Sequence, residues 1–254
     1  MQLNSASSAK IVQKIRKKAN KTIYEYGLIK PNDKILLGLS GGKDSLTMLD
    51  ILVALRNKLP FQFEVKAVHI QSKAIPYSSD LQFLQNFCAE RNVYFESRTV
   101  DYSIETDDRN NPCYLCAVHR RNALFGICSE WGMNKIALGH NLTDSIGTML
   151  MNMMFHGETS AIPPSLTMFG GEVLLIRPLI SITEEEVKKY ISARGFEIKT
   201  KNCEFAESTS RTKVNALIQQ MENIYPDAQQ NIRKSMSNIL SEYLIGAPLN
   251  QSAQ

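Results

Sequence analysis

The sequence predicts an α/β protein: a parallel sheet with helices on both faces, preceded by a basic helix and followed by a helical extension. The first observation is an apolar run, Ile35 to Leu39, that ends abruptly in Ser40-Gly41-Gly42-Lys43-Asp44-Ser45. Leu46, Met48, Leu49, Ile51, Leu52 and Leu55 then recur at helical spacing, so the stretch reads as strand, tight glycine turn, helix. The second is that the alternation continues, with a strand at 62–70, a helix at 79–91 carrying Leu81, Leu84 and Phe87 inward, and a strand at 93–100. Strands alternating with helices imply right-handed crossovers and parallel pairing. The third is size. A chain of 254 residues that is 43% hydrophobic can bury one such core, and no second full domain is expected.

Ahead of the first strand, residues 10–27 carry Ile11, Ile15, Ala19 and Ile23 on one side and Lys10, Lys14, Arg16, Lys17, Lys18 and Lys21 around the rest, with no acid before Glu25. This is an amphipathic basic helix. Its cations suit either a solvated face or a phosphodiester backbone, and Lys14, Arg16, Lys17 and Lys18 are the RNA-contact candidates. The net charge of +4 is too small to argue for nucleic acid alone. Pro31-Asn32-Asp33 turns the chain into the strand at 34–39.

The turn from Ser40 to Ser45 is a phosphate cradle. Two adjacent glycines let bare N–H groups approach a ligand, and the following helix presents its positive end. Lys43 and the hydroxyls of Ser40 and Ser45 add to it, which makes Ser40, Gly41, Gly42, Lys43, Asp44 and Ser45 the nucleotide-site candidates. The competing reading is an ordinary strand-to-helix turn. A Walker A loop is excluded because Asp44 follows Lys43, and the dinucleotide G-x-G-x-x-G pattern is absent.

Residues 102–112 are polar and read as a loop that delivers the next segment to the ligand edge of the sheet. That segment is Cys113-Tyr114-Leu115-Cys116, followed by His119, Arg120 and Arg121, the two arginines being further RNA-contact candidates. Thiolates two residues apart at a helix start can share one metal centre. Redox chemistry of the thioredoxin type is a competitor, although it normally opens the first helix of a small fold. Cys203 lies far downstream in a polar stretch. Spacing leaves a three-thiolate iron–sulfur cluster and a Cys3His zinc site with His119 equally open. Cys88 and Cys128 sit among apolar residues and read as core.

A strand from Lys135, then Gly139-His140 and a helix start bearing Asp144, places these residues at the same end of the sheet as the cradle. Asp144 is suited to magnesium, and His140 to phosphate contact or proton transfer. The competing reading has Asn141 or Thr143 capping the helix, with Asp144 complementing its dipole. A long loop is expected over 157–171 with Ile162-Pro163-Pro164, then the last strand at 173–176, a capping box opened by Thr183, helices over about 210–223 and 227–244, and a frayed end at 246–254. The expected division is 1–30, 31–200 and 201–254. No apolar run approaches a bilayer span, residues 1–8 lack a secretory apolar region, and five cysteines fit a reducing compartment, so the expected location is cytoplasmic.

Ser-Gly-Gly-x-Asp-Ser after a buried strand resembles the PP-loop ATP pyrophosphatases, whose fold is Rossmann-like (adenine nucleotide alpha-hydrolase-like). The residues after it narrow the resemblance to the tRNA 2-thiocytidine synthetase (TtcA) family over about 15–239. They are Cys113-x-x-Cys116 with Arg120-Arg121, Lys135 to His140, Pro163-Pro164, Ile176 to Leu179, and Cys203. The resemblance implies an ATP-dependent sulfurtransferase that adenylates, then thiolates, the cytidine at position 32 of the tRNA anticodon loop, releasing AMP and pyrophosphate. It implies Lys43, Asp44 and Asp144 as catalytic residues, ATP on the Ser40–Ser45 loop with Gly139 and His140, Mg2+, and a [4Fe-4S] cluster on Cys113, Cys116 and Cys203. It also implies tRNA and a sulfur donor such as a cysteine desulfurase as partners. The oligomeric state, a homodimer being one option, is not visible in the sequence. Alternatives are a thiouridine- or lysidine-type PP-loop enzyme, or a non-catalytic cluster-bearing tRNA- or nucleotide-binding protein. Three departures from the family pattern stand out: Thr143 in place of an aspartate, His69-Ile70-Gln71 in place of Asn-Leu-Asp, and Ala206 in place of a cysteine.

Overall fold

The computed structural model describes residues 5–73, 79–101, 112–198 and 210–243. Among them it contains α1 (Ser5–Glu25), β1 (Lys34–Gly38), α2 (Lys43–Arg56), β2 (Glu64–Ser72), α3 (Leu81–Ala89), β3 (Tyr94–Val100), α4 (Pro112–Glu130), β4 (Lys135–Ala137), α5 (Leu142–His156), β5 (Ser165–Met168), β6 (Val173–Ile176), α6 (Glu184–Arg194), α7 (Ser210–Ile224) and α8 (Ala228–Ser235). The strands form one sheet in the order β3-β2-β1-β4-β6-β5. Five are parallel, and β5 alone runs antiparallel, against β6. The expected loop over 157–171 is thus partly an edge strand. Its four residues were unreadable because Leu166 and Thr167 are exposed and no face is buried strongly enough to impose alternation. The last helix also stops early, at Ser235 instead of near 244.

Burial follows the pleat. Ile35 and Leu37 of β1 pack into the larger core with α1, α2, α3 and α6, whereas Leu36, between them, packs with Leu124, Ile127 and Cys128 of α4. Alternate residues of one strand therefore set two helical layers on opposite faces. A third, smaller cluster joins Leu142 and Ile146 of α5 to Val214 and Ile218 of α7.

β1 lies between β2 and β4, and the chain reverses its direction of travel across the sheet between β1 and β4. At such a switch point the loops leaving the two strands diverge and open a crevice at their carboxyl ends. The glycine turn leaves β1 and Gly139-His140 leaves β4, so both expected site segments border that crevice. Among the described residues no helix is long and apolar enough to cross a membrane.

Candidate nucleotide and thiolation site

The turn after β1 is built as a cradle. Gly41 has φ +82°, a left-handed conformation that a side chain would strain, and Gly42 is the N-cap of α2. Because glycine has no capping oxygen, the first-turn amides of α2 are left for a ligand. Ser45 Oγ donates to the Gly42 carbonyl at 3.0 Å, and Ser40 and Ser45 share a hydroxyl contact of 3.1 Å, so the two serines brace the turn from within.

The loop after β4 closes on this turn. A Cβ at Gly139 would lie 3.3 Å from the backbone carbon and Cβ of Asp44 and from the amide nitrogen of Ser45. Gly139→Ala should therefore push the cradle out of place, destabilising the protein by about 1 kcal/mol. Its ATP affinity should fall more than its thermal midpoint does. Unaltered affinity would show that the two loops are not in functional register.

Asn141, the N-cap of α5, accepts from the Asp144 amide and forms a capping box with the Asp144 carboxylate, which receives the Asn141 amide at 3.0 Å. Its side-chain nitrogen also donates to Asp44 Oδ1 at 2.9 Å, tying this helix start to the cradle. Asn141 therefore caps the helix, as the competing reading had it, and Asp144 closes the box from its first turn. Burial raises its carboxyl above the usual range and the nearby Asp44 charge adds to this, while the Asn141 amide opposes it. Lys43 Nζ lies 2.9 Å from Asp44 and 3.2 Å from Glu184. Burial works against its charge, but these two carboxylates outweigh it and hold its pKa above the ordinary value.

His140 is neutral at pH 7. Burial, then the positive charges of Arg177, Arg211 and Arg121, push its pKa down to about 4, and its Nδ1 is buried with no hydrogen-bond partner among the described residues. Between pH 6.5 and 4 the unfolded chain takes up a proton at this imidazole that the native chain does not, so stability falls as pH falls through that window. From pH 7 to 5 the wild type should lose roughly 2 kcal/mol more than His140→Gln in urea unfolding. Equal losses would mean that the imidazole is protonated in the folded state.

Glu184, Asn141, Arg177 and Arg211 were not singled out as site residues by sequence reasoning. Glu184 was visible only as the first turn of a capped helix, and Arg177 only as part of a matched segment. Nothing in their spacing links them to a turn more than ninety residues away. Arg177 donates from Nη1 to the Pro163 carbonyl at 2.9 Å, which fixes the proline turn beside β6.

The departures acquire physical roles. The Thr143 hydroxyl accepts from the Glu184 amide at 3.0 Å and donates to Gln229 at 2.9 Å, so it joins the start of α6 to α8. His69 is buried, with Nδ1 2.7 Å from the Leu39 carbonyl, and clamps β2 against the entrance to the cradle. Gln71 lies within 3.5 Å of the Thr99 hydroxyl on β3.

The RNA-contact candidates separate. Arg16 and Lys18 bind Asp50 and Glu186, each at 2.7 Å, whereas Lys14 and Lys17 are exposed. Arg120 and Arg121 are on α4, across the sheet from α1, and Arg120 lines a cleft of about 120 Å³ with Ser40, Ile70 and Leu138.

Cys116 is a half-buried free thiol on the first turns of α4. Cys113 belongs to the same helix, while Cys203 and Ala206 lie outside the described residues, as do most of the loop expected over 102–112 and the segment 246–254. Burial pushes the Cys88 and Cys128 thiols up to about 12 and about 11, so neither supplies a thiolate. Cys113, Cys116 and Cys203 remain as the thiolate candidates. Among the described residues no three His, Cys, Asp or Glu side chains converge on a metal position.

A PP-loop domain model matches residues 8–220. The tRNA-cytidine(32) 2-sulfurtransferase of Bordetella avium (strain 197N) is 32% identical over 245 residues, spanning 94% of this chain and 77% of that protein. That of Xylella fastidiosa (strain M12) is 34% identical over 235 residues, spanning 91% and 78%. The chain belongs to the tRNA-cytidine(32) 2-sulfurtransferase family of PP-loop proteins. Its fold is similar to that of the U34-tRNA thiolase NcsA from Methanococcus maripaludis, solved with its [4Fe-4S] cluster. The TM-score is 0.71 at 25% identity, with 94% of this chain and 81% of that chain covered. The α/β fold and the PP-loop assignment read from the sequence are thus borne out.

Proposed function

We propose that this protein is an ATP-dependent tRNA sulfurtransferase that converts the cytidine at anticodon-loop position 32 to 2-thiocytidine. The observation that carries the reading is the cradle at the β1/β4 switch point, an uncapped helix start with Lys43 over it, in a chain of this family. Cytosine O2 attacks the α-phosphorus of ATP and pyrophosphate leaves; a sulfur nucleophile then adds at C2 and AMP departs with the oxygen.

In this reading the Gly41, Gly42 and first-turn amides of α2 hold the pyrophosphate end, together with Lys43 and the Ser40 and Ser45 hydroxyls. The cleft beside Arg120, walled by Leu39, Val68, Ile70 and Leu138, takes the adenine. Asp44 and Asp144, two carboxylates whose charges repel, are the residues that would hold Mg2+. That ion is commonly bound by one or two carboxylates together with substrate phosphates. Neutral His140 is a proton acceptor and not a cationic phosphate clamp, and Arg121, Arg177 and Arg211 around it attract the anionic substrates. Cys113, Cys116 and Cys203 would hold the [4Fe-4S] cluster, which would supply the sulfur to be transferred. A cysteine desulfurase is the class of protein that supplies it. The target base must leave its stack to enter the crevice, which a single-stranded loop permits at low cost.

Nucleoside mass spectrometry of tRNA from cells with and without the gene tests the reading. Loss of 2-thiocytidine is expected in the deletion strain and return with the plasmid-borne gene. A different missing nucleoside would reassign the substrate.

A further inference from the structure

We infer a second anion-binding site at the far end of α2, distinct from the PP-loop crevice, that grips the phosphodiester backbone of the tRNA beyond its anticodon loop. The inference rests on the tRNA reading above. Its centre is Asp50, a buried carboxylate in the middle of α2. Asp50 Oδ2 receives Arg16 at 2.7 Å and the Tyr190 hydroxyl at 2.6 Å, and Oδ1 receives Arg194 at 3.0 Å and Arg91 at 3.3 Å. Three guanidiniums thus converge on one negative charge.

Two adjoining hollows, of about 580 and 800 Å³, open here and share Arg16, Lys58 and Arg194. Their walls carry six cations, Arg16, Lys17, Arg56, Lys58, Arg91 and Arg194, against two carboxylates, Asp50 and Glu90. Six less two leaves +4, as large as the formal net charge of the entire chain. Part of this excess serves the fold, because α2, α3 and α6 all end here and Arg56 and Arg91 donate to carbonyls at the end of α3. Each helix terminus offers about half a negative charge, so three of them offset no more than ~1.5 charges. More than two positive charges remain without a counterpart among the described residues.

Donors remain as well. Each guanidinium has five N–H groups, and Arg194 commits only Nη2 to Asp50. Among the described residues the Lys17 and Lys58 ammonium groups have neither a hydrogen-bond nor an ion-pair partner. Fixed guanidiniums beside unpaired lysines suit phosphate oxygens, and the open form of both hollows suits a strand lying across them and not an enclosed small ligand. From Lys43 to Arg56 the axis of α2 rises about 20 Å, so an RNA engaged at both ends spans roughly six base pairs of duplex. The stem that continues from the loop supplies that reach.

The test is fluorescence anisotropy of full-length tRNA as a function of salt, with the intact protein and the variant Lys17→Glu/Lys58→Glu. Neither lysine side chain holds another described residue, so the variant should bind ATP as the wild type does. Its tRNA affinity at 0.1 M salt should fall roughly tenfold or more, and the slope of log K against log salt should lose about 1.5, two phosphate contacts. Binding of a loop-only oligonucleotide of about five nucleotides should be unchanged. Unaltered tRNA affinity and slope would overturn the inference while leaving the proposed function standing. The assignment to RNA would also fall if the wild type but not the variant broadened the 31P signal of inorganic phosphate while both bound tRNA equally. A wild type that bound ATP but neither RNA would overturn the proposed function, and this inference with it.

Discussion

Lys43→Ala is expected to lower ATP-dependent turnover by about two to three orders of magnitude while leaving the fold in place. Lys43 is the cation held over the cradle, 2.9 Å from Asp44 and 3.2 Å from Glu184. Its removal takes away the charge that meets the pyrophosphate and leaves the two carboxylates facing the site alone, so repulsion adds to the lost attraction. The structural cost is small. The Lys43 side chain retains a quarter of its exposure, and partly exposed ion pairs of this kind contribute about 1 kcal/mol or less. Single-turnover AMP release and a thermal melt, measured on the same preparation, separate the two effects. Wild-type turnover in the variant would show that the loop amides alone hold the phosphates.

Cys113→Ala, Cys116→Ala and Cys203→Ala should each lose 2-thiocytidine formation completely, together with most of the bound iron after anaerobic purification. In a three-thiolate site each cysteine holds a separate iron, so none can be spared. Cys88→Ala and Cys128→Ala should keep both iron and activity, because those thiols are buried and held protonated, with pKa values of about 12 and about 11. ATP binding should survive in all five variants, since the cradle supplies its own amides. Iron and sulfide analysis with nucleoside mass spectrometry provides the readout. Full iron content in Cys203→Ala would remove it from the ligand set, and stoichiometric zinc in place of iron would favour the Cys3His site with His119.

The sequence by itself determined the local elements and the chemistry each could carry. The apolar run before Ser40, the glycine pair and the helical spacing of Leu46 to Leu55 lie within one short stretch, so strand, cradle and helix are specified by near neighbours. Thr183 and Glu186 closed the expected capping box for the same reason. What lay beyond reach was the set of contacts made across the fold. Strand order brought β4 beside β1 and so pressed Gly139 onto Asp44. Only α6 docking at the crevice turned Glu184 toward Lys43, and only packing of α1 sorted its cations, drawing Arg16 and Lys18 into ion pairs and leaving Lys14 and Lys17 to solvent. The short edge strand β5 was hidden because its residues bury no face. Periodicity records which side of an element meets the core. Which partner waits there is decided by tertiary packing, whose free energy comes from burying many distant residues together and leaves no mark in the spacing of any one of them.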